Sequence, residues 1–131
     1  MKVFISGVAG LLGSNVANHL LNQGIKVVGV DNLIGGIKEN IIPQVDYHNF
    51  DILDTTKLKE TMDGCEIVFH AAALPYEGLS VFSPKLCVES IVSGTVSMAS
   101  AAIATGVKRF INCSSMARYG KGQPPFMETH K

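Results

Sequence analysis

Apolar positions fall into short runs separated by stretches of mixed character. Val3-Phe4-Ile5 is the first run, and Lys2–Ser6 reads as a strand. Leu12, Val16, Leu20 and Leu21 then recur on one helical face. They predict a helix over about Gly10–Gln23, with Gly24 as its stop. Lys26–Val30 is a second apolar strand, and Asp46–Asp51 a short third one. Asp54 is placed to cap a helix reaching about Met62. Glu66–His70 is apolar enough to predict a strand buried on both faces. Ser83-Pro84 carries the start signature of a long helix that ends near Thr105, before Gly106. Its small residues, Ser93, Gly94, Ser97, Ala99, Ala101 and Ala102, predict close packing. Lys108–Cys113 is the fifth strand. Strands alternating with helices predict right-handed crossovers and a parallel sheet.

Between the first strand and the first helix stands Gly7-Val8-Ala9-Gly10-Leu11-Leu12-Gly13. Gly7 permits a tight turn, Gly10 lets backbone approach an anion closely, and Gly13 lets helix pack on strand. The helix N-terminus adds free N–H groups and a positive dipole end. On its own, the spacing G-x-x-G-x-x-G also describes a glycine-rich turn with no ligand. The second strand, however, ends at Asp31, 24 positions after Gly7. That is where a dinucleotide site places the acid that accepts from ribose hydroxyls. A carboxylate there repels a 2′-phosphate, and no Arg stands beside it, so the residues favour NAD over NADP. The predicted class is therefore α/β, a Rossmann-type open parallel sheet in three layers with about five strands.

A length of 131 residues suits one domain with one core. Eleven basic and eleven acidic residues balance, which argues against general nucleic-acid binding. No apolar run reads as approaching a membrane span, and a strand starting at Lys2 leaves no room for a signal peptide. Cys65, Cys87 and Cys113 are odd in number and widely spaced, the pattern of reduced thiols in a cytoplasmic protein. Neither they nor His19, His48, His70 and His130 have metal-ligand spacing.

The strand ends together carry a resemblance. Gly7–Gly13, Asp31-Asn32-Leu33, Asp51-Ile52, His70-Ala71-Ala72-Ala73, Gly94-Thr95 and Cys113-Ser114-Ser115-Met116-Ala117-Arg118-Tyr119-Gly120 follow in order over the whole chain. In that order and spacing they resemble the extended short-chain dehydrogenase/reductase family. The similarity is to its NAD-dependent epimerase/dehydratase branch, and within it to UDP-sugar 4-epimerases. The resemblance implies that Gly7, Gly10, Leu11, Leu12 and Gly13 hold the pyrophosphate of NAD. It implies that Asp31 takes the adenosine ribose with Asn32 and Leu33 beside it, and that Asp51 and Ile52 flank the adenine. Ala71, Ala72 and Ala73 would wall the nicotinamide half, and Ser115 would be the catalytic hydroxyl on the sugar oxygen. Tyr119-Gly120 reads equally as a turn near substrate and as a packing tyrosine. His70 reads as a hydrogen-bonded strand-end histidine and not as a base. Pro75, Tyr76 and Glu77 read either as sugar contacts or as a capping loop.

Two departures accompany the resemblance. Ile91 stands where the family has Asn in the long helix. The family's base, a Tyr with Lys four residues later, has no counterpart, because Tyr47, Tyr76 and Tyr119 are followed at that spacing by Asp51, Ser80 and Gln123. Residues 1–131 are thus expected to be an NAD-binding Rossmann domain, incomplete at its C-terminal end, without the sugar-nucleotide-binding part, and inactive alone. The expected parent is a nucleotide-sugar epimerase; a 4,6-dehydratase, a non-catalytic NAD-binding module and an NADPH-dependent reductase are the rivals. An exposed edge at the last strand and uncovered apolar surface predict association or partial disorder in solution, and the resemblance implies a homodimer through the 84–105 helix.

Overall fold

The structure is a computed structural model that describes residues 1–74, 76–122 and 124–130. The strands are β1 (Lys2–Ser6), β2 (Lys26–Asp31), β3 (Asp46–Asn49), β4 (Ile67–His70) and β5 (Arg109–Asn112). The helices are α1 (Leu11–Asn22), α2 (Thr55–Met62), a single turn α3 (Leu79–Phe82), and α4 (Pro84–Ala104). All strand pairs are parallel, in the order β3-β2-β1-β4-β5. The chain leaves β1 toward β2 and β3, then returns to the other side for β4 and β5. That reversal opens a crevice above the C-terminal ends of β1 and β4, where open sheets bind ligands.

Alternation along β1 separates two cores. Val3 and Ile5 point to one face and pack with Val8, Ala17, Val27 and Val45 beneath α1. Phe4 points to the other, with Val28, Val30, Leu58, Met62, Val68, Met98 and Ala101 beneath α2 and α4. The three expected layers are therefore present. Asp54 caps α2, its carboxylate accepting from the Lys57 N–H at 3.1 Å, and Gly24 and Gly106 end their helices at φ +71° and +73°.

Several expectations need correction. β4 is not buried on both faces: Val68 and His70 are buried, whereas Ile67 and Phe69 are half-buried. The helical cover on the α1 side serves β1 and β2 and stops short of β4. The third strand ends at Asn49, so Asp51 stands in the following loop. Ser83 precedes α4 but makes no side-chain cap, because α3 leads straight into it. Within α4, Val88–Ser93 is wound as a π-helix, which amphipathic spacing did not signal. Pro84–Ala104 is also long and apolar enough, by length and composition, to cross a membrane. Only Lys85 and Glu89 in it are charged, and its serines hardly lower its hydropathy. In this fold it packs its Met98, Ala101 and Ala102 into the core.

Candidate cofactor site

Each glycine of the first turn has its own reason. Gly7 sits at φ +75°, and a Cβ there would lie 2.8 Å from the Ala72 nitrogen. The floor of the crevice is thus backbone against backbone. A Cβ on Gly13 would fall on the Gly7 carbonyl, so helix α1 can only close onto the turn without one. Gly10 differs: a Cβ there would meet only the Gly7 oxygen, at 3.2 Å. Internal packing demands less of Gly10, and what it leaves open is close approach from outside. The N–H groups of Leu11, Leu12 and Gly13 have no partner among the described residues, while Leu11 and Leu12 turn their side chains to solvent. Free donors, a helix dipole and an open glycine together fit a pyrophosphate.

Next to this turn lies Asp31, a buried acid at the end of β2. Its Oδ2 accepts from the Ala9 N–H at 3.0 Å and its Oδ1 from the Leu33 N–H at 2.8 Å. Each oxygen keeps a second lone pair for a hydroxyl donor. Leu33 pays for that bond with φ +63°, a left-handed conformation unusual for leucine. Asn32 accepts from the Ile34 N–H at 3.1 Å and donates to Asp51 Oδ2 at 2.9 Å. Asp51 Oδ1 accepts from the Leu53 N–H at 2.9 Å. The loop ends after β2 and β3 are therefore tied by side chains that point across the crevice. Gly36 completes the rim, since a Cβ there would press on Asp31 Oδ1 at 2.8 Å. The two arginines, Arg109 and Arg118, stand on β5 and beyond it, so none is placed for a 2′-phosphate.

A cleft joins these pieces. Of the residues expected at the site, Gly7, Asp31, Asn32, Asp51, Ile52, Ala71, Ala72 and Ala73 line it, whereas Gly10, Leu11, Leu12, Gly13 and Leu33 are not among its lining residues. Gly94 adjoins it, where a Cβ would lie 2.6 Å from Ile52 Cδ1 and push that side chain. Sequence reasoning missed Ile34, Phe50, Leu53, Leu86, Glu89 and Ser90, which also line it. The last three are on α4, Glu89 and Ser90 within its π-wound stretch, and helical periodicity carries no mark of that winding. The Gly35-Gly36 pair was the one available signal for the rim.

Ser115 is not among the residues lining this cleft. It follows β5, with its Oγ accepting from the Ala117 N–H at 3.1 Å, which leaves the hydroxyl hydrogen free to donate. Tyr119 stacks on Phe126 with ring centroids 4.9 Å apart, so the packing role is the one seen. Tyr76 is exposed and Glu77 does not line the cleft, while Pro75 lies outside the described residues. Buried His70 bridges Ser6 and Thr95, and burial holds its imidazole below the usual histidine range, hence neutral. Burial also pushes the Cys113 thiol up, so it is no thiolate nucleophile. Among the described residues no cluster of His, Cys, Asp and Glu could hold a metal ion.

Residues 3–131 match the model of the NAD dependent epimerase/dehydratase family. A UDP-glucose 4-epimerase of Klebsiella pneumoniae is 35% identical over 141 residues, covering 98% of this chain and 100% of that sequence. A UDP-N-acetyl-alpha-D-glucosaminuronate decarboxylase of Bacillus cytotoxicus is 32% identical, covering 97% of this chain and 40% of that one. The crystal structure of UDP-glucose 4-epimerase from Brucella ovis in complex with NAD superposes with a TM-score of 0.91 at 36% identity. It covers 97% of this chain and 40% of that one. Apart from the Klebsiella sequence, the chain spans about 40% of the length of these relatives.

Proposed function

The chain belongs to the NAD-dependent epimerase/dehydratase family, and we propose that it is the cofactor-binding part of a nucleotide-sugar 4-epimerase. The observation that carries this is the crevice itself: free helix N–H groups at Leu11, Leu12 and Gly13, the ribose acid Asp31 and the Asp51-Ile52 wall lie along one edge of the sheet. NAD is the cofactor that fits, and when bound it supplies hydride uptake and return at sugar C4. The residues of this chain do the rest of the work available to it. Leu11, Leu12 and Gly13 donate N–H groups to the pyrophosphate, and Asp31 accepts from the ribose. Asn32 and Leu33 would shape that subsite, Asp51 would accept from the adenine amino group, and Ile52 would offer its ring an apolar wall. Ala71, Ala72 and Ala73 leave room for the nicotinamide, and the Ser115 hydroxyl positions the sugar oxygen.

The substrate of the parent enzyme is a UDP-sugar. Names of two similar proteins, an epimerase and a decarboxylase of UDP-sugars, support this. A 4,6-dehydratase reading is disfavoured by Met116, Ala117 and Arg118, which offer no acid after Ser115. The proton acceptor is the group these residues do not provide, since none of the three tyrosines has Lys four positions on. We therefore assign the 131 residues cofactor binding without turnover; a non-catalytic NAD-binding module shares that description. The unpaired Cys65, Cys87 and Cys113 argue for a protein of the cytoplasm, the balanced charge against a nucleic-acid partner, and the exposed side of α4 for a homodimer.

Calorimetric titration with NAD and NADP in parallel tests the reading. NAD should bind more tightly; tighter NADP binding would overturn the role of Asp31. The same chain should not epimerise UDP-glucose, and measurable turnover would refute the absence of a base.

A further inference from the structure

A hydrogen-bond chain runs beneath the crevice that neither phosphate binding nor sugar chemistry accounts for. Thr95 Oγ1 lies 2.6 Å from the Ile91 carbonyl oxygen. A hydroxyl has one hydrogen, and this bond uses it. Thr95 Oγ1 can then only accept from His70 Nε2, 3.1 Å away. That puts a hydrogen on Nε2, and the neutral ring leaves Nδ1 as an acceptor. Ser6 Oγ, 2.6 Å from Nδ1, must donate to it. Ser6 Oγ in turn accepts from the Ala72 N–H at 3.4 Å. Every donor and acceptor is assigned by its neighbour, in one direction, from the Ala72 loop to the carbonyl of Ile91.

One end of this hydrogen-bond chain lines the cleft and the other adjoins its wall. Ala72 is the residue against which Gly7 is packed, and it lines the cleft beside Ala71 and Ala73. Ile91 lies within the π-wound stretch of α4, next to Glu89 and Ser90, which line the opposite wall. His70 is itself buried at the end of β4, its ring 5.9 Å from that of Phe110. The charged groups of the surrounding elements do not touch it: Lys2 donates to the Asp63 carbonyl, and Lys85 and Glu89 pair with each other at 3.6 Å. Arg109 is paired in register with Ile67, at the far end of the strand.

We propose that His70, as the Nε2–H tautomer, is a positioning residue that fixes the Ala71–Ala73 floor of the cofactor cleft relative to the π-wound wall of α4. This rests on the reading of the cleft as the NAD site. A ring that only filled space would not need both nitrogens bonded, nor would it link two segments that each face the ligand.

The tautomer is read directly by long-range nitrogen–proton NMR on the uniformly labelled chain at neutral pH, with His70 assigned by its loss in His70→Gln. A pyridine-type Nδ1 and a pyrrole-type Nε2 are expected; the opposite tautomer or a doubly protonated ring would overturn the clamp. NAD titration of variants reads the positioning role. Thr95→Val and Ser6→Ala should each weaken NAD binding roughly three- to tenfold. Thr95→Ser, which keeps the hydroxyl, should recover what Thr95→Val loses. Folded variants that bind NAD as the parent chain does would reduce His70 to a packing residue and refute the proposal. A parent chain that bound no NAD would instead remove the cofactor reading, and the positioning role with it, whatever tautomer the spectrum showed. The spectrum needs only the unaltered chain, so a variant that fails to fold does not shield the proposal.

Discussion

Gly13 is the residue on which the geometry of the turn depends most sharply. A methyl group there has no space, because the atom it meets is a backbone carbonyl and not a movable side chain. Gly13→Ala should therefore push α1 off β1, at a cost of about 1–3 kcal/mol in urea denaturation, and weaken NAD binding more than tenfold in titration. Gly10→Ala makes the useful contrast. Its Cβ meets Gly7 O at 3.2 Å, a tight contact but far from the overlap at Gly13, so stability should fall less than in Gly13→Ala while NAD affinity falls. At this scale the sequence was largely legible. Glycine spacing, Asp31 and the Ala71–Ala73 run each carry their chemistry in residue type and position. What stayed hidden were features that exist only after folding. Leu33 in a left-handed conformation is invisible to propensity, which disfavours it. The bond from Asn32 to Asp51 joins residues 19 positions apart, and no local pattern marks it.

Elements carry a different lesson. Five strands and the main helices could be read from periodicity, because each buries one face against the sheet and alternation records that. The π-wound stretch Val88–Ser93 could not, since none of its residues is buried and no alternation of buried and exposed positions marks it. Gly94 follows this stretch and gives Ile52 its room, so close packing there was foreseeable while its partner was not. Met98 is the anchor of the element. It is fully buried with Leu58 and Met62 of α2. Met98→Ala should cost about 2–5 kcal/mol by the cavity it leaves. If denaturation shows less than about 1 kcal/mol, α4 repacks freely and cannot hold the cleft wall.

At the scale of the whole molecule, one exposed surface and one buried ring determine behaviour in solution. Val92, Val96 and Ile103 of α4 are exposed, with Ile103 at 83% of its full area. Apolar area of this kind on one helix marks an interaction surface. The proposed homodimer should appear in light scattering as twice the chain mass, and Val96→Glu should return it to a monomer without altering NAD affinity. A monodisperse monomer of the unaltered chain would count against that.

The buried ring sets an acid limit. Desolvation holds the His70 pKa below its ordinary value of about 6.5, the value it regains on unfolding. Between those two values the unfolded chain binds a proton that the folded chain excludes, so stability rises with pH there. The contribution is complete above about pH 6.5 and is lost progressively as pH falls toward the lowered folded value. Protonation would also give Nδ1 a hydrogen, leaving Ser6 Oγ facing a donor it now serves as donor. Urea midpoints should thus drop between about pH 7.5 and pH 5.5, before most carboxylates titrate. His70→Gln should be less stable at the upper pH but lose much less across the interval. Equal slopes for both proteins would mean that another group, and not His70, sets the limit.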